Sequence, residues 1–318
     1  MIKTFLKKIF IFLIPLLVVW ICIEIFYRFV PNNYTQKATE IQNNYDSKIL
    51  VLGNSHAFYG INPDYFNAKT YNFSNISQSL YFDELLIEKH LKSFKNLKYI
   101  ILTVDYFSLS QVDNSSEDIY RKYYYEQYMD INVPLISRFD PKSYSLTLTR
   151  NLEMNIDLMK SYSKEKTLVE GNSKGWAMKI GTNPQFNNYE TAVDVVAKNE
   201  DGLSDFQVNL DRLNRIIKLC SKQNVKVLLV TMPVTTHYAR LVNQNKLRKI
   251  YTDCKRIASE QKNCIYLNLF QNKNFQNDDF YDTDHLNEKG AEKCSKILNK
   301  VIIENSGFNS LQKIENVR

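Results

Sequence analysis

The chain has 318 residues, a length that fits one large α/β domain with an insertion or two small domains. Its hydrophobic content of 44% and aromatic content of 13% exclude a disordered chain and fit a packed globule. The net charge of +7 is partly local, because basic residues flank the first apolar run, whereas elsewhere Lys alternates with Asp and Glu. Since no basic face with interleaved aromatic residues is present, we expect no nucleic-acid partner.

The first predicted element is a membrane anchor. Residues 9–23 are uninterruptedly apolar, and the pattern continues after Glu24 to Tyr27, which is long enough to span the hydrocarbon core of a bilayer. Lysines precede this run, so the chain after about residue 30 is expected outside the cytoplasm, either periplasmic or extracellular. A cleaved signal peptide and a buried helix of a soluble protein are the alternatives. No small-x-small cleavage site follows the run, and this favours an uncleaved single-pass anchor in the cell membrane.

Four segments are predicted along the chain. Residues 1–30 form a cytoplasmic tip and the transmembrane anchor, residues 31–45 are polar and are interpreted as a stalk, 46–303 form the main domain, and 304–318 form a tail. Short apolar strands alternate with amphipathic helices in the main domain, which predicts a parallel sheet of about five strands with helices on both faces. The predicted strands are 48–52, 70–73, 99–104, 225–230 and 264–267, and the predicted helices are 80–94, 206–220, 246–262 and one that follows Asn287.

Capping residues are predicted for two of these helices. Ser204 and Gln207 fit a capping box at the start of the helix 206–220, and Asn287 suits the N-cap of the last helix. Between residues 107 and 203 the alternation of strands and helices fails and aromatic residues are dense. We interpret this segment as an insertion, which either lies over the active edge of the sheet or only completes the core.

The cysteines predict no metal site. None of the five forms a C-x-x-C pair, and those on predicted helices occupy apolar positions, so buried free thiols are expected, with one disulfide as the alternative. Walker A, dinucleotide-binding and H-E-x-x-H patterns are absent, so no metal and no cofactor is predicted.

Ser55 and His285 are the candidate catalytic residues. Ser55 directly follows the first predicted strand, on a sharp turn at the edge where α/β sheets hold ligands. A serine hydroxyl needs a base to accept its proton, and His285 could accept it while Asp282, three residues earlier, orients the imidazole. The alternative is structural, with Ser55 capping the next helix and the Asp282–His285 segment capping the last one.

Together the two motifs resemble the SGNH (GDSL) hydrolase superfamily. Gly53-Asn54-Ser55 is similar to its first block and Asp282-Thr283-Asp284-His285 to its last. The resemblance covers roughly residues 46–303 and implies a three-layer, flavodoxin-like fold, serine-dependent ester chemistry, and Asp282 rather than Asp284 as the orienting acid. Ser55 followed by His56 is similar to membrane-anchored proteins of surface-polymer acylation, including those of alginate acetylation and teichoic-acid alanylation.

The chain departs from this family at the expected oxyanion and substrate-binding positions, for which the candidates are Asn54, His56, Ser77 and Asp105. Ser77 stands where the family has glycine, and Asp105 stands where it has asparagine. An ionised carboxylate only accepts hydrogen bonds and would repel an oxyanion, so the oxyanion donors are expected to be the Ser55 and Ser77 amides and one further residue. His56 is expected either to face the pocket or to cap the first helix of the domain.

The resulting hypothesis is a serine esterase or O-acyltransferase of the cell envelope. It would act through a Ser55 acyl-enzyme on an acylated, most simply O-acetylated, surface polysaccharide or on a small acyl ester. The alternative is a non-enzymatic scaffold of the same fold that binds a surface polymer or a membrane acyltransferase partner.

Overall fold

A computed structural model describes residues 2–112 and 118–305. Within these ranges the chain forms two compact units. The first unit combines residues 2–38 with 118–170, and the second combines residues 39–112 with 171–305. The helices, in chain order, are α1 (Ile2–Phe29), α2 (Asn33–Glu40), α3 (Ser55–Gly60), α4 (Leu80–His90), α5 (Arg121–Met129), α6 (Leu152–Glu165), α7 (Tyr189–Asn199), α8 (Gln207–Lys222), α9 (Thr236–Leu241), α10 (Gln244–Glu260) and α11 (Glu288–Asn305).

The second unit contains a five-stranded parallel sheet. Its strands are β1 (Ile49–Leu52), β2 (Thr70–Asn72), β3 (Tyr99–Thr103), β4 (Lys226–Thr231) and β5 (Cys264–Asn268), in the spatial order β2-β1-β3-β4-β5. This is the strand order of flavodoxin-like folds, in which the order reverses beside the first strand. The predicted α/β class is therefore confirmed, and each strand boundary agrees with its predicted position within one residue.

The strand register brings the carboxyl ends of the strands to one edge. Ile49 of β1 pairs with both Thr70 and Tyr99, and Tyr99 pairs with Lys226. A parallel sheet is stable when helices cover both of its faces. Ligands of such sheets bind beyond the carboxyl ends, where the strand order reverses.

Helices cover both faces of this sheet. On one face, Val51 and Ile101 belong to a core cluster that also includes Ala57 of α3 and Leu298 of α11. Alternate strand residues such as Leu102 are also fully buried and point to the opposite face, where α8 packs against β4 and α4. The result is a three-layer α/β/α arrangement.

The first unit is built around the end of α1. The Tyr27 hydroxyl donates to Asn155 Oδ1 of α6 over 2.6 Å, and Trp20 Nε1 donates to Ser145 Oγ over 3.1 Å. Among the described residues, α1 alone is long and apolar enough to cross a membrane, a test that a signal sequence also passes. The last turns of α1 are therefore part of a folded unit.

Local predictions have mixed outcomes. Asn287 caps α11 as predicted, because its Oδ1 accepts the backbone N–H groups of Lys289 and Gly290. The predicted capping box at Ser204 and Gln207 is wrong, since Phe206 occupies the N-cap and makes no side-chain cap bond. The polar segment 31–45 contains α2 and a 3₁₀ turn at residues 42–44, which hydrophobic periodicity in so short a segment does not reveal.

All five cysteines are free, and four are buried: Cys220, Cys254, Cys264 and Cys294. Burial raises the pKa of Cys220 and of Cys264 to about 12, so these thiols stay protonated at neutral pH. The structure thus agrees with the expectation of buried free thiols.

We predict that these four thiols are alkylated in the denatured protein but not in the native protein. Iodoacetamide at pH 8 should leave them unmodified in the native protein and modify all four after denaturation without a reductant, because thiolate formation and access are both blocked by burial. Peptide mass spectrometry measures this, with the denatured sample as the reference for full modification. A cysteine that reacts only after reduction would reveal a disulfide.

Candidate active site

The turn after β1 depends on a glycine. Gly53 has φ +124°, a conformation that side chains rarely adopt, and a Cβ there would clash with Thr103 Oγ1 of the neighbouring strand. Asn54 then caps α3, its Oδ1 accepting the backbone N–H of His56 over 2.9 Å. Ser55 is consequently the first residue of α3, at the carboxyl edge of the sheet.

A buried carboxyl group supports this turn from α4. Asp83 Oδ1 accepts the backbone N–H of Gly53 over 3.0 Å and the side-chain amide of Gln78 over 2.7 Å. Burial raises the pKa of Asp83 to about 7, although both hydrogen bonds oppose the shift. Sequence reasoning missed Asp83, because the helix was recognised only by its apolar residues.

The structure joins Ser55, His285 and Asp282 in a hydrogen-bonded chain. Ser55 Oγ lies 2.8 Å from His285 Nε2, and His285 Nδ1 lies 2.9 Å from Asp282 Oδ2. Asp282 Oδ1 also accepts the backbone N–H groups of Asp284 and His285, at 3.1 and 2.7 Å. These bonds hold the carboxylate in place. With a carboxylate at Nδ1, the proton of a neutral imidazole lies on that nitrogen and Nε2 is free to accept from serine.

Charge makes His285 a stronger base than an ordinary histidine. Burial would lower its pKa, but the nearby carboxylates of Asp284 and Asp282 raise it above its usual value. Burial alone would raise the pKa of Asp282. The charge of His285 and the hydrogen bonds that Asp282 accepts nevertheless hold this pKa well below its usual range. An ionised acid beside a basic imidazole is the arrangement that general-base catalysis requires.

A second histidine, His56, is buried between two carboxylates. Its Nε2 lies 3.2 Å from Asp284 Oδ2, and its Nδ1 lies 3.5 Å from Asp105 Oδ1. Burial would lower the pKa of His56, but Asp105 and Asp284 outweigh it and raise the pKa to about 10. His56 is therefore a buried imidazolium at neutral pH, and its ring meets that of His285 edge-on at 5.2 Å between centroids.

The contacts of Asp105 differ from those of an oxyanion donor. Its Oδ2 accepts from Asn54 Nδ2 over 2.9 Å, and its Oδ1 accepts the backbone N–H of Met232 over 3.0 Å. Burial would raise the pKa of Asp105, but the charge of His56 and these hydrogen bonds lower it. Asn54, His56 and Asp105 therefore form one buried group whose contacts lie mainly with one another.

Ser77 lies in the loop between β2 and α4 in the left-handed conformation, with φ +54°. This conformation favours glycine, the residue that the resembling family has there. Two residues earlier, the backbone N–H of Asn75 donates to Gly53 O over 3.1 Å, which ties the loop to the serine turn. Asn75 Nδ2 is buried and has no hydrogen-bond partner among the described residues, a feature that sequence reasoning did not identify.

Part of the predicted insertion contributes to the site. Trp176 Nε1 donates to Tyr59 O over 2.7 Å, and the Tyr59 ring lies 5.3 Å from that of His285. The Lys179 ammonium lies 4.3 Å from the Tyr59 ring centroid and 5.5 Å from that of Tyr281. An aromatic and cationic wall of Tyr59, Tyr281 and Lys179 therefore borders the candidate triad. The insertion contributes Lys179 to this wall and Trp176 as a partner of Tyr59, and its aromatic density was its only signal in the sequence.

His56, Asp284 and His285 are also the residues that could hold a metal ion, since one ligand atom of each lies within 4.8 Å of the others. These same atoms already serve one another and Ser55 as hydrogen-bond and ion-pair partners. The arrangement fits a proton relay without further ligands, whereas a metal at this position would compete with Ser55 or Asp282 for His285.

Comparisons with known proteins do not establish a family for this chain. A protein-family model matches residues 196–307, which is less than half of the chain. No curated protein matches the chain. A Streptococcus pneumonia structure, provisionally described as a platelet activating factor, matches 91% of this chain and 97% of its own at 14% identity and TM-score 0.41. A Bacteroides fragilis NCTC 9343 structure, provisionally described as an acylhydrolase, matches 80% of this chain and 86% of its own at 10% identity and TM-score 0.37. At these values neither similarity carries a functional argument.

We predict that His56→Gln lowers the free energy of unfolding by about 3–5 kcal/mol, because two buried carboxylates lose their cation. Pairing raises the pKa of His56 from 6.5 to about 10, so its stabilisation is complete below pH 6.5 and is lost as the pH rises through 10. The difference in free energy of unfolding between the parent and His56→Gln should therefore shrink from pH 6 to pH 10. Urea unfolding at several pH values measures it.

The matched control is His237→Gln on α9, for which a change below about 0.5 kcal/mol is expected. The double variant His56→Gln with Asp105→Asn should recover part of the stability, since one of the two unpaired charges is then removed. Equal stability of His56→Gln and the parent at pH 6 would contradict the assignment of His56 as the cation of this cluster.

Proposed function

We propose that this protein is a serine-dependent acyl ester hydrolase or O-acyltransferase that acts on a cell-surface carbohydrate. One observation carries the proposal, the 2.8 Å contact between Ser55 Oγ and His285 Nε2 with Asp282 on the opposite ring nitrogen. A base within hydrogen-bond reach of a serine, itself oriented by a carboxylate, is the arrangement that activates this nucleophile.

The chemistry proceeds in two steps. Ser55 Oγ attacks the ester carbonyl while His285 Nε2 takes the hydroxyl proton, and His285 returns that proton to the departing alcohol, leaving an acyl group on Ser55. In the second step His285 takes a proton from water or from a sugar hydroxyl, whose oxygen attacks the acyl carbon; the bond to Ser55 Oγ then breaks, and His285 returns the proton to Ser55 Oγ. Hydrolase and transferase therefore share every residue and differ only in the acceptor that the pocket admits.

The oxyanion would be stabilised by the loop beside the serine turn. The backbone N–H groups of Ser55 and Ser77 are the first two proposed donors, and the left-handed conformation of Ser77 supports its place in the hole. Asn75 is the proposed third donor, because its unpaired Nδ2 belongs to the same loop and buried polar groups are rarely left without a partner. Asn54, His56 and Asp105 hold the serine turn in this proposal.

The half-buried Tyr281 and Lys179 support a carbohydrate substrate, whereas Tyr59 and Trp176 are buried and hold this wall in place. Aromatic rings pack against the apolar faces of sugars, and an ammonium group beside them can donate to hydroxyl or acidic groups. An acetyl ester is the simplest acyl group that such a site would handle. A polysaccharide of the cell envelope, O-acetylated or undergoing O-acetylation, is accordingly the proposed substrate class.

The proposed location is the outer side of the cell membrane, with α1 retained as a single-pass anchor. Tyr27 and Ile23 of α1 are buried, and Glu24 accepts hydrogen bonds from the side chains of Ser145 and Thr147. Removing α1 as a signal peptide would strip the first unit of these contacts. This supports retention of the anchor.

The alternative function is a scaffold that binds a surface polymer or an acyltransferase partner without catalysis. Its supporting observation is Asp105, which replaces a donor of the resembling family and is fully engaged with Asn54, His56 and Met232. Triad variants distinguish the two functions.

We predict that Ser55→Ala lowers ester turnover by about 10⁴-fold or more and abolishes labelling by a fluorophosphonate probe. Asp282→Asn should lower turnover by about 10³- to 10⁴-fold, because an amide neither fixes the tautomer nor stabilises the imidazolium. Acetate release from an aryl acetate and from an acetylated glycan, with and without an acceptor sugar, measures these losses.

Ser173→Ala and Asp278→Asn, which change exposed residues, are the controls and should match the parent. Asp284→Asn should cost less activity than Asp282→Asn if Asp282 is the orienting acid, because the bond from Asp282 to His285 Nδ1 stays in place. Full activity and full labelling of Ser55→Ala would exclude Ser55 as the nucleophile, whereas a parent protein without ester turnover or labelling would end the enzyme proposal in favour of the scaffold.

A further prediction tests the oxyanion donors. Asn75→Ala should lower kcat by about 100- to 1,000-fold with little change in KM, because the donor acts on charge that develops only in the transition state. Asn274→Ala, at an exposed asparagine, is the control. A loss of kcat that is matched by a loss of unfolding stability would show that Asn75 is only structural.

A further inference from the structure

The last turns of α1 are clamped to a segment far along the chain. Glu24 accepts hydrogen bonds from Ser145 Oγ over 2.8 Å and from the backbone N–H of Thr147 over 3.1 Å. One helical turn later, Arg28 donates to Tyr144 O over 3.3 Å and pairs with Glu24 over 2.9 Å. The segment 144–147 therefore lies beside α1 at the level of residues 20–28.

With α1 retained as the proposed anchor, this level is the outer boundary of the membrane. Lys8 and Arg28 are 20 residues apart, and at 1.5 Å per residue they lie about 30 Å apart along α1, the thickness of a hydrocarbon core. Glu24 is then about 6 Å inside Arg28, where the bonds from Ser145 and Thr147 satisfy its carboxylate. A segment bonded to Glu24 shares this depth.

Apolar side chains on and around this segment, between residues 139 and 156, are exposed. The exposed fractions are 78% for Phe139, 70% for Tyr144, 43% for Leu148, 58% for Leu152 and 42% for Ile156. Such aromatic and aliphatic residues are typical of the interface between headgroups and acyl chains. In a soluble protein they would form an unusually apolar surface.

Helix α6 continues this surface with an amphipathic pattern. Leu152 and Ile156 are four residues apart and share one face, whereas Asp157 lies about 100° further round the helix than Ile156. Asp157 pairs with Lys160 over 3.1 Å, and both side chains are exposed. A helix of this pattern lies in the plane of a membrane surface with its apolar face down.

Basic residues border the apolar surface. The Arg138 guanidinium lies 4.7 Å from the Phe139 ring centroid, and Arg28 is close to Tyr144. Cations at this depth attract the phosphate groups of anionic lipids. Charge and apolar exposure thus favour the same partner, a lipid surface.

We propose that residues 138–156 dip into the outer leaflet beside α1, so that the first unit is held to the bilayer by a spanning helix and by an interfacial surface. This inference rests on the proposed retention of α1 as an anchor and is independent of the ester chemistry. A single helix alone can rotate and tilt freely, whereas a second contact at the interface fixes the orientation of the first unit on the membrane.

The test is photo-crosslinking of the full-length protein in vesicles of phosphatidylcholine with about 30% of the anionic lipid phosphatidylglycerol. Benzoylphenylalanine is placed singly at Phe139, Leu148 or Ile156, and lipid adducts are quantified by mass spectrometry. Asp157, adjacent to Ile156 but on the polar face, is the matched negative control. Val18 within α1 is the positive control for anchoring.

Lipid adducts at positions 139, 148 and 156, at least about tenfold above those at position 157, are expected, since benzophenone reacts only with groups in contact. Adducts at Val18 without adducts at the three test positions would overturn this inference and leave the anchor intact. Absence of adducts at Val18 would overturn both. Because all substituted side chains are exposed, the thermal unfolding temperature of each variant should match that of the parent. Where a benzoylphenylalanine variant does not fold, a nitroxide at the same position replaces it, and its accessibility to oxygen reports contact with the acyl chains.

Discussion

The site depends on one buried electrostatic interaction, the imidazolium of His56 between the carboxylates of Asp105 and Asp284. Asp105 follows β3, Asp284 precedes α11, and His56 lies in α3, so a single cation joins three segments that are far apart in sequence. Removing the cation would leave two buried negative charges close together. The free-energy cost of these unpaired charges is much larger than the net stabilisation that the ion pairs provide. Asp284 in turn raises the pKa of His285, so this structural interaction reaches the base of the proposed triad.

The parallel sheet explains why this interaction and the proposed triad can coexist in a small volume. All five strands end at one edge, and the first strand delivers Ser55 there through a turn that only glycine at position 53 allows. The loop before α11 delivers Asp282 and His285 to the same edge. Two ionised acids then divide their roles, because Asp282 bonds His285 directly while Asp284 bonds His56.

The first unit has an organisation of its own. The proposed triad lies in the second unit, whereas the first unit centres on Glu24, a carboxylate near the end of the long apolar stretch of α1. Intramembrane carboxylates are costly unless they are paired. Ser145, Thr147 and Arg28 pair this one, which explains how a charged residue can interrupt the predicted anchor.

The sequence alone was sufficient for the strands of the sheet, the N-cap at Asn287, the apolar α1 and the candidates Ser55, Asp282 and His285, because all of these depend on local periodicity or on short motifs. It did not reveal α2, Phe206 as the N-cap of α8, or the contributions of Asp83, Asn75 and Lys179. These contributions depend on contacts between residues distant in sequence, which leave no local pattern. The charge of Asp105 illustrates the difference: the sequence shows an acid where a donor is expected, and only the tertiary structure shows that a buried histidine neutralises it.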